Sequence, residues 1–287
     1  MNKRLAFVIH GSGTPVVLIP GFAARANSWG FQYRALKKHF KVIILENSGI
    51  SESAQCDGGD HCIAAMADQL YRLVDEHGAG KASILGASMG AMIALEFAQR
   101  YPDKVTSLIL ASLPIAPIPA LRKLLEEQEL LAQEFDGNLF LKDLWPVLFS
   151  KDFIKQDRFR IFNELFMQSG SCFSKDMLHA QLHAADTWLE SNRWTTGCNC
   201  PCLFIYGSED QLNSKENTLK KLENAFPKSA VRIIDGAGHA VHIEKHREFN
   251  AVVYDFLKNH ADDYVSPKSC RKEYQERRDD RCLGFKA

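Results

Sequence analysis

Residues 82–90, Ala-Ser-Ile-Leu-Gly-Ala-Ser-Met-Gly, carry the strongest structural signal in this chain. An apolar run typical of a buried strand enters Gly-Ala-Ser-Met-Gly, and a run with helical apolar spacing follows from Ala91 to Arg100. A strand that turns sharply into a helix lifts the central serine into a strained, exposed position, and glycines on either side permit close backbone approach. Ser88 is therefore the candidate nucleophile.

The flanking sequence supports this interpretation, because a Gly-x-Ser-x-Gly pentapeptide alone is weak evidence. Upstream, apolar residues from Ile63 to Leu73 repeat at helical spacing, and downstream Val105 to Ala111 is typical of a buried strand. Leu5 to Ile9 and Val16 to Ile19 are predicted to be short strands near the start. The order helix, strand, sharp turn, helix, strand is the order that an α/β sheet needs.

Length, composition and charge restrict the class of protein. The chain has 287 residues, 46% of them hydrophobic, which fits one α/β domain with an inserted subdomain. Lys plus Arg equals Asp plus Glu at 35 each, so no net field attracts nucleic acid or an anionic membrane. The run Leu5 to Ile9 is too short for a signal-peptide core, and no stretch is long enough to span a bilayer. A small-molecule ligand and a cytoplasmic location are expected.

The eight cysteines are expected to be free thiols in a reducing compartment. Cys198, Cys200 and Cys202 stand at alternate positions and not in the C-x₂-C pairs of structural zinc sites. Cys56 and Cys62 have no matching set of ligands nearby in the sequence. No metal is expected.

Four segments carry a family resemblance: residues 16–29 (VVLIPGFAARANSW), 46–51, 67–111 and 200–257. They are similar to the α/β-hydrolase superfamily of serine esterases, lactonases and thioesterases. The resemblance implies a mostly parallel central sheet with helices on both faces and an inserted helical cap. The core is then expected in residues 1–113 and 196–260. The helical apolar spacing of residues 114–195 predicts the cap, and the charged pairs and few large apolar residues of 261–287 predict a polar, mobile tail.

The resemblance also implies a catalytic triad of Ser88, Asp210 and His239, in the chain order of the fold. Asp210 follows a predicted strand, Cys202 to Tyr206, and its neighbour Glu209 is an alternative source of the carboxylate. His239 follows a second predicted strand, residues 231–234, whereas His242 is expected to be a packing or helix-start residue.

The expected oxyanion hole combines the backbone N–H groups of Phe22 and Met89. No cofactor is implied. The sequence departs from the family at Glu46 to Ser53, where the usual arginine and second glycine are missing. This departure concerns the geometry of the loop and not the catalytic groups.

The predicted cap shows helical apolar spacing from Leu121 to Leu131 and is rich in large apolar residues between Phe140 and Phe166. Most of these must pack on one another or on the sheet. Some are nevertheless expected to form an apolar acyl pocket over Ser88. The candidate substrate-binding residues are Trp145, Phe149, Phe162, Met167 and Trp188.

The leading hypothesis is a serine hydrolase that cleaves a carboxylic ester, lactone or thioester with an apolar acyl part. The same triad would serve an acyltransferase, a carbon-carbon hydrolase or a perhydrolase. A receptor or signalling protein with slow turnover is an alternative of a different class. The sequence does not indicate an oligomeric state.

Overall fold

A seven-stranded sheet forms the centre of the molecule, which is described from a computed structural model over residues 5–47, 62–77, 80–131, 135–167, 173–213 and 215–260. The strand order is β1-β3-β2-β4-β5-β6-β7, with β1 antiparallel to β3 and all other neighbours parallel. The strands are β1 (Phe7–His10), β2 (Pro15–Ile19), β3 (Lys41–Leu45), β4 (Ala82–Ala87), β5 (Val105–Ala111), β6 (Cys202–Gly207) and β7 (Ala230–Ile234).

The α-helices of the described residues connect these strands or lie between them. They are α1 (Gly30–Leu36), α2 (Ile63–Glu76), α3 (Met89–Arg100), α4 (Pro119–Leu131), α5 (Gly137–Leu148), α6 (Lys151–Ile154), α7 (Asp157–Met167), α8 (Lys175–Glu190), α9 (Lys215–Ala225), α10 (Val241–Glu244) and α11 (His246–Asn259).

Helices cover both faces of the sheet, as predicted. One apolar cluster joins α2, α3 and α8 to side chains such as Val17, Ile19 and Leu110, and the opposite cluster joins α1 and α11 to Val16, Leu18 and others. Strands β2, β4, β5 and β6 are buried along their whole length because helices lie on both sides of them.

The predicted strands are all present, with bounds that differ by at most two residues. Strand β3 was not predicted, although its Val-Ile-Ile-Leu run is apolar and buried and it lies second from the edge of the sheet, between β1 and β2. The helix predicted from Ile63 to Leu73 is α2, and the helix predicted from Ala91 begins two residues earlier, at Met89.

Helices α4 to α8 lie between β5 and β6, in the segment predicted to be a cap; we call residues 114–195 the inserted segment. The side chains of Ser150 and Ser174 cap α6 and α8 by accepting hydrogen bonds from backbone N–H groups. Helix α8 contacts α2, α3 and α4, so the inserted segment packs on the core. The domain bounds at 114 and 195 stay predictions, and the predicted tail, 261–287, lies outside the described residues.

Candidate active site

Ser88 lies in the sharp turn between β4 and α3. Its backbone adopts φ 54° and ψ −119°, a conformation that costs a non-glycine residue on the order of 1–3 kcal/mol. The turn is tight because α3 begins against the end of β2. A Cβ on Gly90 would collide with the carbonyl oxygen of Ile19, so only glycine fits there. The strand-to-helix turn predicted at Ser88 is the observed conformation.

His239 joins Ser88 to Asp210 through both ring nitrogens. Its Nε2 lies 2.9 Å from Ser88 Oγ, and its Nδ1 lies 3.0 Å from Oδ2 and 3.1 Å from Oδ1 of Asp210. His239 and Asp210 are 4% and 6% exposed. Because an ionised carboxylate only accepts hydrogen bonds, Nδ1 carries the proton, and Nε2 is left to accept the hydroxyl proton of Ser88.

Asp210 is held by the turn that follows it. The backbone N–H groups of Leu212 and Asn213 donate to Oδ1 at 2.9 and 3.2 Å, and the Asn213 side-chain amide donates to Oδ2 at 2.9 Å. Burial alone would raise the pKa of Asp210, but attraction to His239 and these hydrogen bonds bring its pKa below the usual value. The carboxylate therefore stays ionised beside the imidazole.

The loop that carries His239 is fixed on two sides. Ser112, which follows β5, donates its hydroxyl to the carbonyl oxygen of His239 at 2.7 Å. The buried carboxylate of Glu244 accepts the N–H of Gly238 at 2.8 Å and, from the inserted segment, the N–H and hydroxyl of Ser150 at 3.1 and 2.6 Å. A Cβ on Gly238 would lie 2.7 Å from Ser150 N, so this approach also requires glycine.

The loop after β2, which contains Phe22, is held from two parts of the chain. Asn47 donates its side-chain amide to the carbonyl oxygens of Pro20 and Gly21 at 2.8 and 3.1 Å. Gln181, on α8, accepts the N–H of Ala23 at 3.2 Å, and Ala23 has a positive φ of 50°. The inserted segment therefore contacts the loop expected to supply half of the oxyanion hole.

Glu46 also contacts this loop: it accepts the N–H of Ala26 at 2.9 Å and pairs with Arg25 at 3.5 Å. Burial raises the pKa of Glu46 to about 7, although Arg25 and the Ala26 N–H act in the opposite direction. Glu46 and Asn47 belong to the segment that departs from the family pattern, and both bind the Phe22 loop. The remainder of that segment, 48–53, lies outside the described residues.

Phe22 and Met89 both line a small cavity beside Ser88. A Cβ on Gly21 would lie 3.3 Å from the Cβ of Ser88, which shows how closely the Phe22 loop approaches the serine. Met89 is the first residue of α3, where backbone N–H groups point out of the helix and favour negative charge. Both residues therefore lie beside Ser88 at the same cavity.

The cavity is about 20 Å³, little more than the space for one water molecule. Apolar side chains from α3, α4 and α8 form most of its wall, and Asp186, which pairs with Arg122, is the charged residue in it. The lining residues are Phe22, Ser88, Met89, Met92, Ile118, Leu121, Leu182, Ala185, Asp186 and Leu189.

None of the five predicted substrate-binding residues lines this cavity, so the structure does not bring them to the cavity beside Ser88. Trp145, Phe149 and Phe162 instead contact one another, with ring centroids 5.4 to 5.8 Å apart. The indole N–H of Trp188 donates to the buried Glu96 at 3.0 Å. Met167 is half-buried against the apolar core. The composition of the segment predicted an apolar pocket, but Trp145, Phe149 and Phe162 pack on one another within the inserted segment.

Two other acid-base alternatives are separated by their positions. Glu209 is exposed, whereas Asp210 is the carboxylate that meets His239. His242 is buried, with its ring 4.6 Å from Trp29 and 6.0 Å from Phe249, as expected for a packing residue. Burial, with a smaller contribution from His239, lowers its pKa to about 3.

Several residues that hold the site were not predicted: Asn47, Ser112, Gln181, Asn213 and Glu244. Only Asn213 had a local sequence signal, because an aspartate commonly bonds backbone groups two and three residues ahead. The partners of Asn47, Ser112 and Gln181 are distant in sequence, and so is Ser150, one of the two partners of Glu244.

No described helix has the length and apolar character needed to cross a membrane. Among the described residues, no group of three or more His, Cys, Asp or Glu side chains is arranged to hold a metal ion.

Comparison with known proteins agrees with this architecture. The family described as alpha/beta hydrolase fold matches residues 14–246. A Caulobacter sp. (strain K31) protein provisionally named carbamate hydrolase RutD is 24% identical over 251 residues, which cover 86% of this chain and 91% of that protein.

Two solved structures are also similar. A thermophilic esterase from Thermogutta terrifontis, with malate bound, has 26% identity and a TM-score of 0.73, covering 89% of this chain and 94% of that chain. An enol-lactonase from Burkholderia xenovorans LB400 has the same fold, with 20% identity and a TM-score of 0.77 over 88% and 96% of the two chains. With a family match that spans most of its length, this chain is an enzyme of the α/β-hydrolase fold family.

Proposed function

We propose that the protein is a serine hydrolase that cleaves a carboxylic ester, lactone or thioester with a small apolar acyl part. The observation that carries this proposal is the continuous hydrogen-bond chain from Ser88 Oγ through His239 to Asp210, at 2.9 and 3.0 Å. The three residues come from distant parts of the sequence and meet beside one cavity. Such a chain is the arrangement that activates a serine hydroxyl.

In the proposed mechanism His239 takes the Ser88 proton while Ser88 Oγ attacks the substrate carbonyl carbon. Asp210 keeps the imidazole in the required tautomer and stabilises its charged form. His239 then gives the proton to the leaving alcohol or thiol, and an acyl-Ser88 remains. Water enters, loses a proton to His239, and releases the acid.

The N–H groups of Phe22 and Met89 are proposed to stabilise the tetrahedral oxyanion. Support comes from their places on either side of Ser88 and from the helix N-terminus at Met89. Removal of one such donor typically costs about 10²–10³ in kcat. Because both groups are backbone, the hydrogen bonds that hold the Phe22 loop become important for turnover.

The size and lining of the cavity support a short acyl group. About 20 Å³ accommodates only one or two heavy atoms without movement of α4 or α8. Longer chains would have to displace side chains such as Leu182 or Leu189. The names of two similar proteins, an esterase and a carbamate hydrolase, support hydrolysis of a bond of this kind, and the acyl length is argued from the cavity alone.

The test is hydrolysis of p-nitrophenyl esters from acetate to decanoate by the parent and by Ser88→Ala. We expect acetate and propionate to be the preferred substrates, and we expect Ser88→Ala to lose at least about 10³ in kcat/KM. Circular dichroism and thermal unfolding of both proteins provide the control for folding. An unchanged rate in Ser88→Ala would exclude Ser88 as nucleophile, and an inactive parent would contradict the proposed esterase activity.

A further inference from the structure

Three cysteines lie close together where the inserted segment returns to the sheet. Cys198 and Cys200 are in the connection before β6, and Cys202 is the first residue of that strand. The Sγ atoms of Cys198 and Cys200 are 3.7 Å apart, and Cys198 Sγ also hydrogen-bonds to Cys202. Cys198 is therefore the central thiol of the three.

The three thiols differ in access to solvent. Cys198 and Cys200 are half-buried, and Asn199 between them is exposed, whereas Cys202 is buried. Cys202 pairs with Leu108 in the β5–β6 ladder, and the preceding Pro201 accepts the N–H of Leu108 at 2.9 Å. A small oxidant can thus reach Cys198 and Cys200, and their connection is free of the ladder that fixes Cys202.

The thiols also differ in acidity. Hydrogen bonds from Cys200 and then Cys202 lower the pKa of Cys198, and they outweigh the opposing effect of burial. The bond to Cys198 and burial raise the pKa of Cys200. Burial is the main cause that raises the pKa of Cys202. Cys198 is therefore the most acidic thiol of the group.

We propose that Cys198 and Cys200 form a peroxide-sensitive thiol pair that closes to a disulfide. The Cys198 thiolate attacks one oxygen of a hydroperoxide, so that an S–O bond forms, the O–O bond breaks, and the hydroxide or alkoxide that leaves takes a proton from solvent. Cys200 Sγ then attacks Cys198 Sγ of the resulting sulfenic acid and gives up its proton to the leaving oxygen; an S–S bond forms, and the S–O bond breaks with loss of water. Two thiols are oxidised by two electrons, and one hydroperoxide is reduced.

The geometry favours Cys200 over Cys202 as the partner. A disulfide needs the two sulfurs about 2 Å apart, so the 3.7 Å gap closes with small side-chain rotations in the connection. Bond formation with Cys202 would require the buried first residue of β6 to move. This inference does not depend on the proposed hydrolase activity, because Ser88, His239 and Asp210 lie at the opposite, carboxyl ends of the strands.

The test uses the reduced full chain, treated with hydrogen peroxide under native conditions, alkylated and digested with trypsin. All three cysteines fall in one tryptic peptide, Trp194–Lys215, which contains no other cysteine. We expect this peptide to lose two hydrogens and to take up one alkyl group where the reduced sample takes up three. A reductant added before alkylation should restore all three sites.

Three serine variants assign the partners. Cys198→Ser should leave both remaining thiols open to alkylation, and Cys200→Ser should slow disulfide formation at least tenfold. Cys62→Ser, which removes another half-buried thiol, should behave like the parent. Full alkylation of the peroxide-treated parent would overturn the proposal. Disulfide formation at the parental rate in Cys198→Ser or Cys200→Ser would overturn the assignment of that residue.

Discussion

The carboxyl edge of the sheet and the inserted segment contribute to the site in different ways. Ser88, Asp210 and His239 each follow a parallel strand by one to five residues, so the sheet sets their separations. The inserted segment supplies none of these three residues. It contacts the loops around them through Gln181 and Ser150, and α4 and α8 form part of the wall of the cavity.

The catalytic side chains and the loops around them are therefore positioned in different ways. Groups on strand ends are positioned by a backbone ladder that single side-chain changes leave in place. The loops that carry Phe22 and His239 are oriented by a few buried hydrogen bonds, some of which cross to the inserted segment. Changes at the sheet edge should therefore remove catalysis, whereas changes in the inserted segment should adjust its rate and its substrate range.

The largest effect is expected for Asp210→Asn, which retains the side-chain shape and removes the charge. Asparagine no longer favours the Nδ1–H tautomer, so Nε2 of His239 cannot accept the Ser88 proton. We expect a loss of about 10⁴ in kcat for p-nitrophenyl acetate. Glu209→Gln is the matched control, because it alters the adjacent exposed carboxylate, and it should retain the parental rate. Equal losses in the two variants would contradict the assignment.

The sheet edge was predictable because its signals are local. The apolar runs of β4, β5 and β6 are continuous and buried, and the turn at Ser88 requires glycine at a close backbone approach. The residues after these strands must then lie at one edge, because neighbouring strands are parallel. Strand β3 lacked comparable flanking signals, although it is buried and pairs with both β1 and β2.

The role of the inserted segment was less predictable because it depends on which helix face meets the cavity. Apolar spacing identifies faces, but it does not say whether a face packs on another helix or lines a site. Leu182, Ala185 and Leu189 repeat at helical spacing on α8 and form the wall, whereas the aromatic residues of α5 and α7 pack together. The Gln181 to Ala23 hydrogen bond joins residues 158 positions apart, so no local pattern reveals it.

Gln181→Met tests the hydrogen bond between α8 and the Phe22 loop. The substitution keeps the side-chain length and removes the acceptor for Ala23 N–H, which helps to hold a residue with φ 50°. A buried hydrogen bond contributes about 0.5–1.5 kcal/mol, so we expect kcat to fall up to about tenfold. Because the oxyanion forms only in the transition state, KM should change little.

The matched control for Gln181→Met is Gln99→Met, which removes hydrogen bonds to Arg193 and Gly197 away from Ser88. Its kcat should equal that of the parent. The Nε2 of Gln181 has no partner among the described residues, so its removal should limit any loss of thermal stability. A rise in KM with unchanged kcat would show that Gln181 affects binding and not the oxyanion.

Leu182→Ala is expected to change substrate range more than the rate with acetate. The shorter side chain enlarges the cavity, and each buried methylene contributes about 1 kcal/mol or more to discrimination. The ratio of kcat/KM for hexanoate to that for acetate should therefore rise at least about tenfold. Phe162→Leu provides the comparison, because Phe162 belongs to the aromatic cluster and not to the cavity wall. If Phe162→Leu and not Leu182→Ala changed the preference between hexanoate and acetate, the aromatic residues predicted from the sequence would be the acyl pocket.

Two buried side chains, His242 and Glu46, are expected to make the stability of the protein depend on pH. Buried His242 has a pKa of about 3 in the folded protein and about 6.5 in the unfolded chain. Between these values the unfolded chain binds more protons, so the free energy of unfolding falls as pH decreases through this range. Glu46 acts in the opposite sense between about 4.5 and 7, because its raised pKa lets the folded protein bind more protons there.

Between about pH 4.5 and 6.5, His242 and Glu46 change the free energy of unfolding in opposite directions. The pair should therefore make it nearly independent of pH in the parent. A variant of one residue should show the pH dependence caused by the other. As pH falls below 6.5, the free energy of unfolding of His242→Phe should rise relative to that of the parent by up to about 1.4 kcal/mol per pH unit, because one proton is involved. For Glu46→Gln, the free energy of unfolding should instead rise relative to that of the parent as pH rises from 4.5 to 7. This variant should also be less stable by a constant amount at every pH, because Arg25 is left without its carboxylate. Urea unfolding at several pH values measures both differences. Differences that do not vary with pH would show that neither side chain contributes to the pH dependence of stability.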